Sequence, residues 1–189
     1  ISIYFEKGIS TKLNGKEMKY ADIIRELNTL GGKHGIGIID IVENRVVGMK
    51  SRGVYETPGG TILMEAHTQL EELVLDRDTL SCKKELANRF ANLVYEGKWF
   101  TPLREAIQAF MTVTQEYVTG EAKMKLYKGN IIKQGTTAPY SLYNESIASF
   151  TTGDLYDHKD ANGFINLFGL SLKVRAMKML EVEKNKNTK

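Results

Sequence analysis

The stretch from Gly35 to Gly60, GIGIIDIVENRVVGMKSRGVYETPGG, constrains the fold more than any other part of this chain. Ile36 to Val42 is β-branched and too short for a helix, so it reads as a buried strand. Alternation places Ile39, Ile41 and Glu43 on one face and Ile38, Asp40 and Val42 on the other. A turn at Glu43-Asn44-Arg45 is expected next, with Val46-Val47 opening a second strand. Thr57 and Pro58 have the types of an N-cap and a first helical residue. A rigid strand therefore delivers Glu43, Asn44, Arg45, Lys50, Ser51, Arg52 and Tyr55 onto a glycine-punctuated connection. Binding groups commonly sit on such connections.

The flanking sequence supplies a scaffold. Ser2–Glu6 and Ile9–Leu13 read as paired strands around Lys7-Gly8, and Asn14-Gly15 is a further turn signal. Ile23, Ile24, Leu27 and Leu30 lie at helical spacing, with Gly31-Gly32 expected to end that helix. Three further helical stripes follow. They run Ile62 to Val74, Leu86 to Val94, and, after Thr101-Pro102, Leu103 to Val118. Trp99-Phe100 is expected to pack in the link between the last two. Glu121–Tyr127 alternates, with Ala122, Met124 and Leu126 on one face, and turns back at Lys128-Gly129-Asn130. Asp160–Leu180 is too apolar for a single stripe and predicts a long helix covered by another subunit, with a frayed tail at 181–189. The fold class is α+β, with an antiparallel or mixed sheet, a helical block and a long C-terminal oligomerisation helix. The expected division is 1–158 and 159–189.

Charge and composition narrow the function. The chain has 189 residues and a formal net charge of +3. From Lys173 onward six basic residues face two acidic ones, so the preceding body is close to neutral. Nucleic-acid binding would want a basic face on the folded body and is disfavoured. No run reaches the roughly 20 apolar residues of a membrane span, and no signal-peptide pattern is expected. The lone Cys82 excludes an intrachain disulfide, and His34, His67 and His158 share no metal-ligand spacing. Neither a metal site nor a membrane partner is expected, and the cytoplasm is the default compartment. No Walker loop, GxGxxG or nucleophile elbow is present. Gly59-Gly60 could approach an anion at a helix start or serve close packing equally well.

Glu43 and Tyr55 are the candidate binding groups. A carboxylate at a strand end can be held against a ligand amine, and a phenol both donates and accepts. The alternative is a surface ion pair of Glu43 with Arg45 or Arg52.

IDIVENRVVGMKSRGVYETPGGTIL closely resembles a segment of argininosuccinate synthase. GGKHGIG, LDRD at 75–78, LYKGN, PYSLYNE at 139–145 and DANGFINLFGLSLK at 160–173 resemble the same family in the same order. The likeness covers the C-terminal part of a longer protein, without the half that carries an SGGLDTS-type phosphate loop. It implies an ATP-dependent ligase of arginine biosynthesis. Citrulline and aspartate condense through a citrullyl-adenylate, in a cytoplasmic homotetramer assembled through the C-terminal helix.

Further expectations follow from the resemblance. The citrulline contacts from this half map onto Glu43 and Tyr55; Arg45, Arg52 and Ser51 are candidates to orient Glu43 that the resemblance itself does not assign. ATP with Mg²⁺, and aspartate, would be bound mainly by the other half, so none is expected on this chain and it should be inactive alone. The family usually reads GIGRID where this chain has Gly37-Ile38-Ile39-Asp40, leaving Asp40 to find another partner. A stand-alone binding or assembly module that keeps the fold without catalysis is the competing reading.

Overall fold

In the computed structural model, residues 1–148 and 157–187 are described. They form two compact units, 1–143 and 144–189. That break falls earlier than the 158/159 division drawn from the apolar pattern.

The first unit is built on a five-stranded antiparallel sheet in the order β3-β2-β1-β6-β7. The strands are β1 (Ser2–Glu6), β2 (Ile9–Leu13), β3 (Lys16–Glu17), β6 (Gly120–Tyr127) and β7 (Asn130–Thr137). The turns at Lys7-Gly8, Asn14-Gly15 and Lys128-Gly129 have positive φ at both residues, the hairpin geometry their sequences predict. In β6, Ala122, Met124 and Leu126 are buried, while Lys123, Lys125 and Tyr127 face water.

Helices α1 (Tyr20–Lys33) and α2 (Pro58–Val74) cover the apolar face of the sheet. Ile23 and Leu27 of α1 meet Ile62, Ala66 and Leu70 of α2 over Ile3, Phe5, Leu13 and Met124 in one core. Burying each large side chain contributes about 1.5–3 kcal/mol. Helices α3 (Arg77–Tyr95) and α4 (Pro102–Thr114) pack on each other, burying Leu93 and Ile107. Asp76 caps α3 by accepting from the Asp78 and Thr79 amides, and Thr101 caps α4 by accepting from Arg104. Thr57 precedes α2 without a side-chain cap, although Pro58 does occupy its first turn.

A polar knot joins these helices beside the core. Lys83 of α3 lies 2.9 Å from the buried Glu71 carboxylate of α2. The Gln115 amide donates to the same carboxylate at 2.7 Å. His67 lies 2.7 Å from the Gln115 carbonyl oxygen, and burial holds its imidazole below the ordinary histidine range. His67 is thus a packed structural histidine.

Several expectations are corrected. Gly31-Gly32 does not end α1. The helix runs on to Lys33, and the positive φ falls at Gly35. Gly31 instead lets α2 approach, since a Cβ there would lie 2.7 Å from Pro58 Cβ. The third stripe extends past its helix, because α4 ends at Thr114 while the buried Val118 belongs to the following turn. Only half of the expected Trp99-Phe100 packing is found: Trp99 meets Phe90 of α3 edge-on and lies under the Arg104 guanidinium of α4, whereas Phe100 is 89% exposed. In the second unit the expected long C-terminal helix is present as α7 (Leu170–Asn187), but it does not start at Asp160: the shorter α6 (Asp160–Phe168) precedes it across Gly169, and α5 (Glu145–Ala148) lies earlier in the unit. The tail expected to fray is helical as far as Asn187.

The two adjacent glycines of α1 should respond oppositely to alanine. Gly31→Ala pushes into Pro58 and Ile62, and should destabilise the chain by about 1–3 kcal/mol. Gly32 has open space around it, so Gly32→Ala should stabilise by about 0.5–1 kcal/mol through helix propensity. Denaturant midpoints of the two variants check this.

Candidate functional site

The segment that reads as a buried strand is an exposed hairpin. Strand β4 (Ile38–Asn44) pairs antiparallel with β5 (Lys50–Glu56), apart from the main sheet. Ile38 and Val42 are 60% and 62% exposed. Only Ile36, just before the hairpin, enters the core. The apolar run is therefore correctly a strand, but one lacking cover within the described residues. The second strand opens at Lys50, not at Val46. Val46 and Val47 lie in a turn closed by the Arg45 amide donating to Met49 and the Gly48 amide donating to Arg45.

Both legs of the hairpin are held at its root. The Thr57 amide donates to the Gly37 carbonyl at 2.9 Å. Gly37 has φ 78°, and a Cβ there would lie 2.7 Å from the Thr57 carbonyl oxygen, so the crossing requires glycine. At the start of α2, the Gly59 amide donates to Asn28 Oδ1 of α1 at 2.9 Å. Of the two roles open for Gly59, close packing is the one observed.

The register sets Glu43 opposite Ser51, Ile41 opposite Gly53 and Ile39 opposite Tyr55. Strand alternation puts all six on one face. There, Ser51 Oγ and Tyr55 Oη each donate to Glu43 Oε1 at 2.9 Å. Arg45 Nε donates in turn to Ser51 Oγ at 3.0 Å. Glu43 Oε2 receives no hydrogen bond among the described residues. One carboxylate oxygen is thus fixed by two hydroxyl donors and the other is open to a ligand donor. Of the candidates, Glu43, Tyr55, Ser51 and Arg45 form one connected set.

Arg52 does not join them. It lies on the opposite face and makes a bidentate pair with Asp40, Nε to Oδ1 at 2.9 Å and Nη2 to Oδ2 at 2.6 Å. This corrects its expected contact with Glu43. It also gives Asp40 the partner left open by Ile38. Strand parity decides the outcome, because Arg52 and Asp40 share a face that Glu43 does not.

The electrostatics follow the hydrogen bonds. Donation from Ser51, then from Tyr55, holds the Glu43 carboxyl below the ordinary glutamate range, and the Arg45 charge adds to this. Acceptance by Glu43 pushes the Tyr55 phenol above its ordinary value. Arg52 holds Asp40 below the usual carboxylate range. Glu43 is therefore an anion, and Tyr55 a neutral donor, across the physiological range. Among the described residues, no group of three or more His, Cys, Asp or Glu could hold a metal ion, and no helix is long and apolar enough to cross a membrane.

The family model described as "Arginosuccinate synthase C-terminal domain" matches residues 1–175. The chain belongs to this family. It is 83% identical over 186 residues to the argininosuccinate synthase of Lachnoclostridium phytofermentans, covering 98% of this chain and 46% of that protein. Against the argininosuccinate synthase of Agathobacter rectalis it is 79% identical over 187 residues, covering 99% of this chain and 46% of the relative. The corresponding protein of Acetivibrio thermocellus is 62% identical over 186 residues, covering 98% and 45%. The chain spans about half the length of these curated relatives and corresponds to the C-terminal region of argininosuccinate synthase.

One participant escaped the sequence reading. Gly53 lies between Ser51 and Tyr55 on the face that carries Glu43. The spacing Ser51-x-Gly53-x-Tyr55 was the available signal, since period two puts all three on one side.

The pairing of Glu43 and Tyr55 carries a pH signature. The depressed Glu43 pKa means the contact stabilises the hairpin fully above the ordinary glutamate range, and this is lost as pH falls through the lower folded value. The raised Tyr55 pKa means its share is present below the ordinary phenol range and is lost as pH rises through the higher folded value. Glu43→Gln should bring the Tyr55 pKa down toward about 10. Titration of the isotope-labelled tyrosine ring by NMR measures it, and an unmoved Tyr55 would contradict the pairing.

Proposed function

We propose that this chain is the citrulline-side and assembly part of an argininosuccinate synthase. The observation that carries the reading is the Glu43 carboxylate, fixed through Oε1 by Ser51 and Tyr55 and open at Oε2. Citrulline is a zwitterion with a neutral ureido end. Its α-ammonium is the one cation it offers, and an open anionic oxygen is the group that suits it. Glu43 takes that ammonium. Tyr55 holds the carboxylate in place and turns its ring toward the ligand. Arg45 keeps Ser51 oriented as a donor to Glu43.

The chemistry of the whole synthase then assigns this chain a holding role. The citrulline ureido oxygen attacks the α-phosphorus of ATP, and the bond to pyrophosphate breaks. The aspartate amine next attacks the ureido carbon, and AMP leaves with the oxygen that joined it. ATP with Mg²⁺, and aspartate, are held mainly by a part of the synthase outside this chain. Glu43 contributes by fixing the citrulline backbone, so that the ureido oxygen meets phosphorus in line. By itself the chain is inactive on this reading.

The second unit supplies assembly. Helices α6 and α7 expose Phe164, Leu167, Phe168, Leu172 and Val174 among the described residues, with Leu167 76% and Phe168 74% exposed. Large apolar side chains left exposed in this number mark an interaction site. The family resemblance makes neighbouring subunits of a homotetramer its cover. The same surface is what a stand-alone assembly module would show. An SGGLDTS-type phosphate loop encoded upstream in the same gene separates the two readings in favour of the synthase.

In the complete synthase, Glu43→Gln should raise the citrulline KM about tenfold or more, while the ATP KM changes little. Steady-state kinetics with each substrate varied in turn decide this, and unchanged citrulline kinetics would remove Glu43 from the site. Truncation before Phe164 should give monomers or insoluble protein on size-exclusion chromatography. Elution of the same oligomer would overturn the assembly role.

A further inference from the structure

We infer that Gly53 is a positioning residue for the citrulline site, acting by giving the Tyr55 ring a bed on which to lie along the strand. The inference rests on the proposed citrulline reading for its functional consequence. The geometry itself stands independently of that reading.

Side chains on a strand ordinarily stand away from the sheet. Tyr55 sits opposite Ile39, whereas Glu43 lies four residues further along β4, beyond Ile41. The phenol reaches Glu43 Oε1 at 2.9 Å only by lying back over position 53. A Cβ on Gly53 would fall 2.9 Å from Cε2, Cζ and Oη of the Tyr55 ring. The ring therefore occupies the space that any other residue would fill with its own side chain. What is blocked is the far end of a side chain, so an alanine need not disturb the backbone. It lifts the ring instead.

Backbone conformation does not explain the glycine. Gly53 is absent from the glycines with positive φ, which include Gly37 and Gly48 of the same hairpin. It pairs in normal register with Ile41. Glycine in a strand interior is a destabilising choice, and alanine there would ordinarily improve the strand. The alanine variant should thus gain or keep stability while losing the tyrosine contact. A purely structural glycine would move both in the same direction.

The test compares Gly53→Ala, Tyr55→Phe and the double variant in the complete synthase. Gly53→Ala should raise the citrulline KM about tenfold, as loss of a hydrogen bond to a carboxylate does, with the ATP KM unmoved and the thermal midpoint equal or higher. A crystal structure of the variant should show Tyr55 Oη beyond hydrogen-bond reach of Glu43. The double variant should be no worse than Tyr55→Phe, because both changes remove the same contact. Additive losses, or a Tyr55 ring still on Glu43 in Gly53→Ala, would overturn the inference. If Tyr55→Phe leaves the citrulline KM unchanged, the citrulline reading falls instead. The ring position in Gly53→Ala then decides the positioning role alone.

Discussion

The close approach of α1 and α2 is the constraint on which the placement of the site depends. Gly31 admits Pro58 and Ile62, and Gly59 admits Asn28 and the Ile24 carbonyl. The end of α1 and the start of α2 are therefore locked together. The hairpin leaves one helix and returns to the other, so its two legs are brought to one point, where Gly37 crosses Thr57. A wider helix separation would splay the legs and unfix the register. The core residues Ile23, Leu27, Ile62 and Leu70 supply the free energy for this clasp. The glycines supply the distance.

From that root outward, stability gives way to geometry. Asp40, Glu43, Arg52 and Tyr55 are too accessible to water for their pairs to contribute much to folding. Their arrangement matters for direction. Each face of the hairpin carries one carboxylate that other hairpin side chains hold among the described residues. Asp40 is closed by both arms of the Arg52 guanidinium, which satisfies its two oxygens. Glu43 has both hydroxyl donors on a single oxygen. The first arrangement is finished within the chain. The second is half finished, and that asymmetry distinguishes a structural pair from a candidate binding group more clearly than either carboxylate's position in the sequence.

Local chemistry was legible in the sequence. The hairpin turns at Lys7-Gly8 and Lys128-Gly129, the alternation of β6, the Pro58 and Pro102 helix starts and the α2 stripe each depend on a few neighbouring residues, and each is found. Side-chain pairings across strands were less legible, because they depend on register. Val46-Val47 suggested a short turn, and the pairing of Glu43 with Ser51 emerged only once the turn was seen to extend to Met49. The same register moved Arg52 from Glu43 to Asp40. Gly31 was misread because glycine can serve a helix end or a helix contact, and the decision belongs to α2, nearly thirty residues away. The knot of His67, Glu71, Lys83 and Gln115 draws on three separate segments and left only an i,i+4 His–Glu spacing as a trace.

The misplaced burial of β4 and the crowded apolar content of α6 and α7 have a common physical origin. Apolar patterning records the water a segment avoids in the state where it functions, whichever chain or domain provides the cover. Ile38, Val42 and Val54 on the hairpin, and Phe164 and Phe168 on the second unit, are patterned as interior and exposed among the described residues. On the proposed reading the two surfaces face different partners, the hairpin meeting the nucleotide-binding part and the helices meeting neighbouring subunits. Ile38, Val42 and Val54 lie on the Asp40–Arg52 face, so a partner covering them leaves Glu43 Oε2, on the other face, within reach of a ligand.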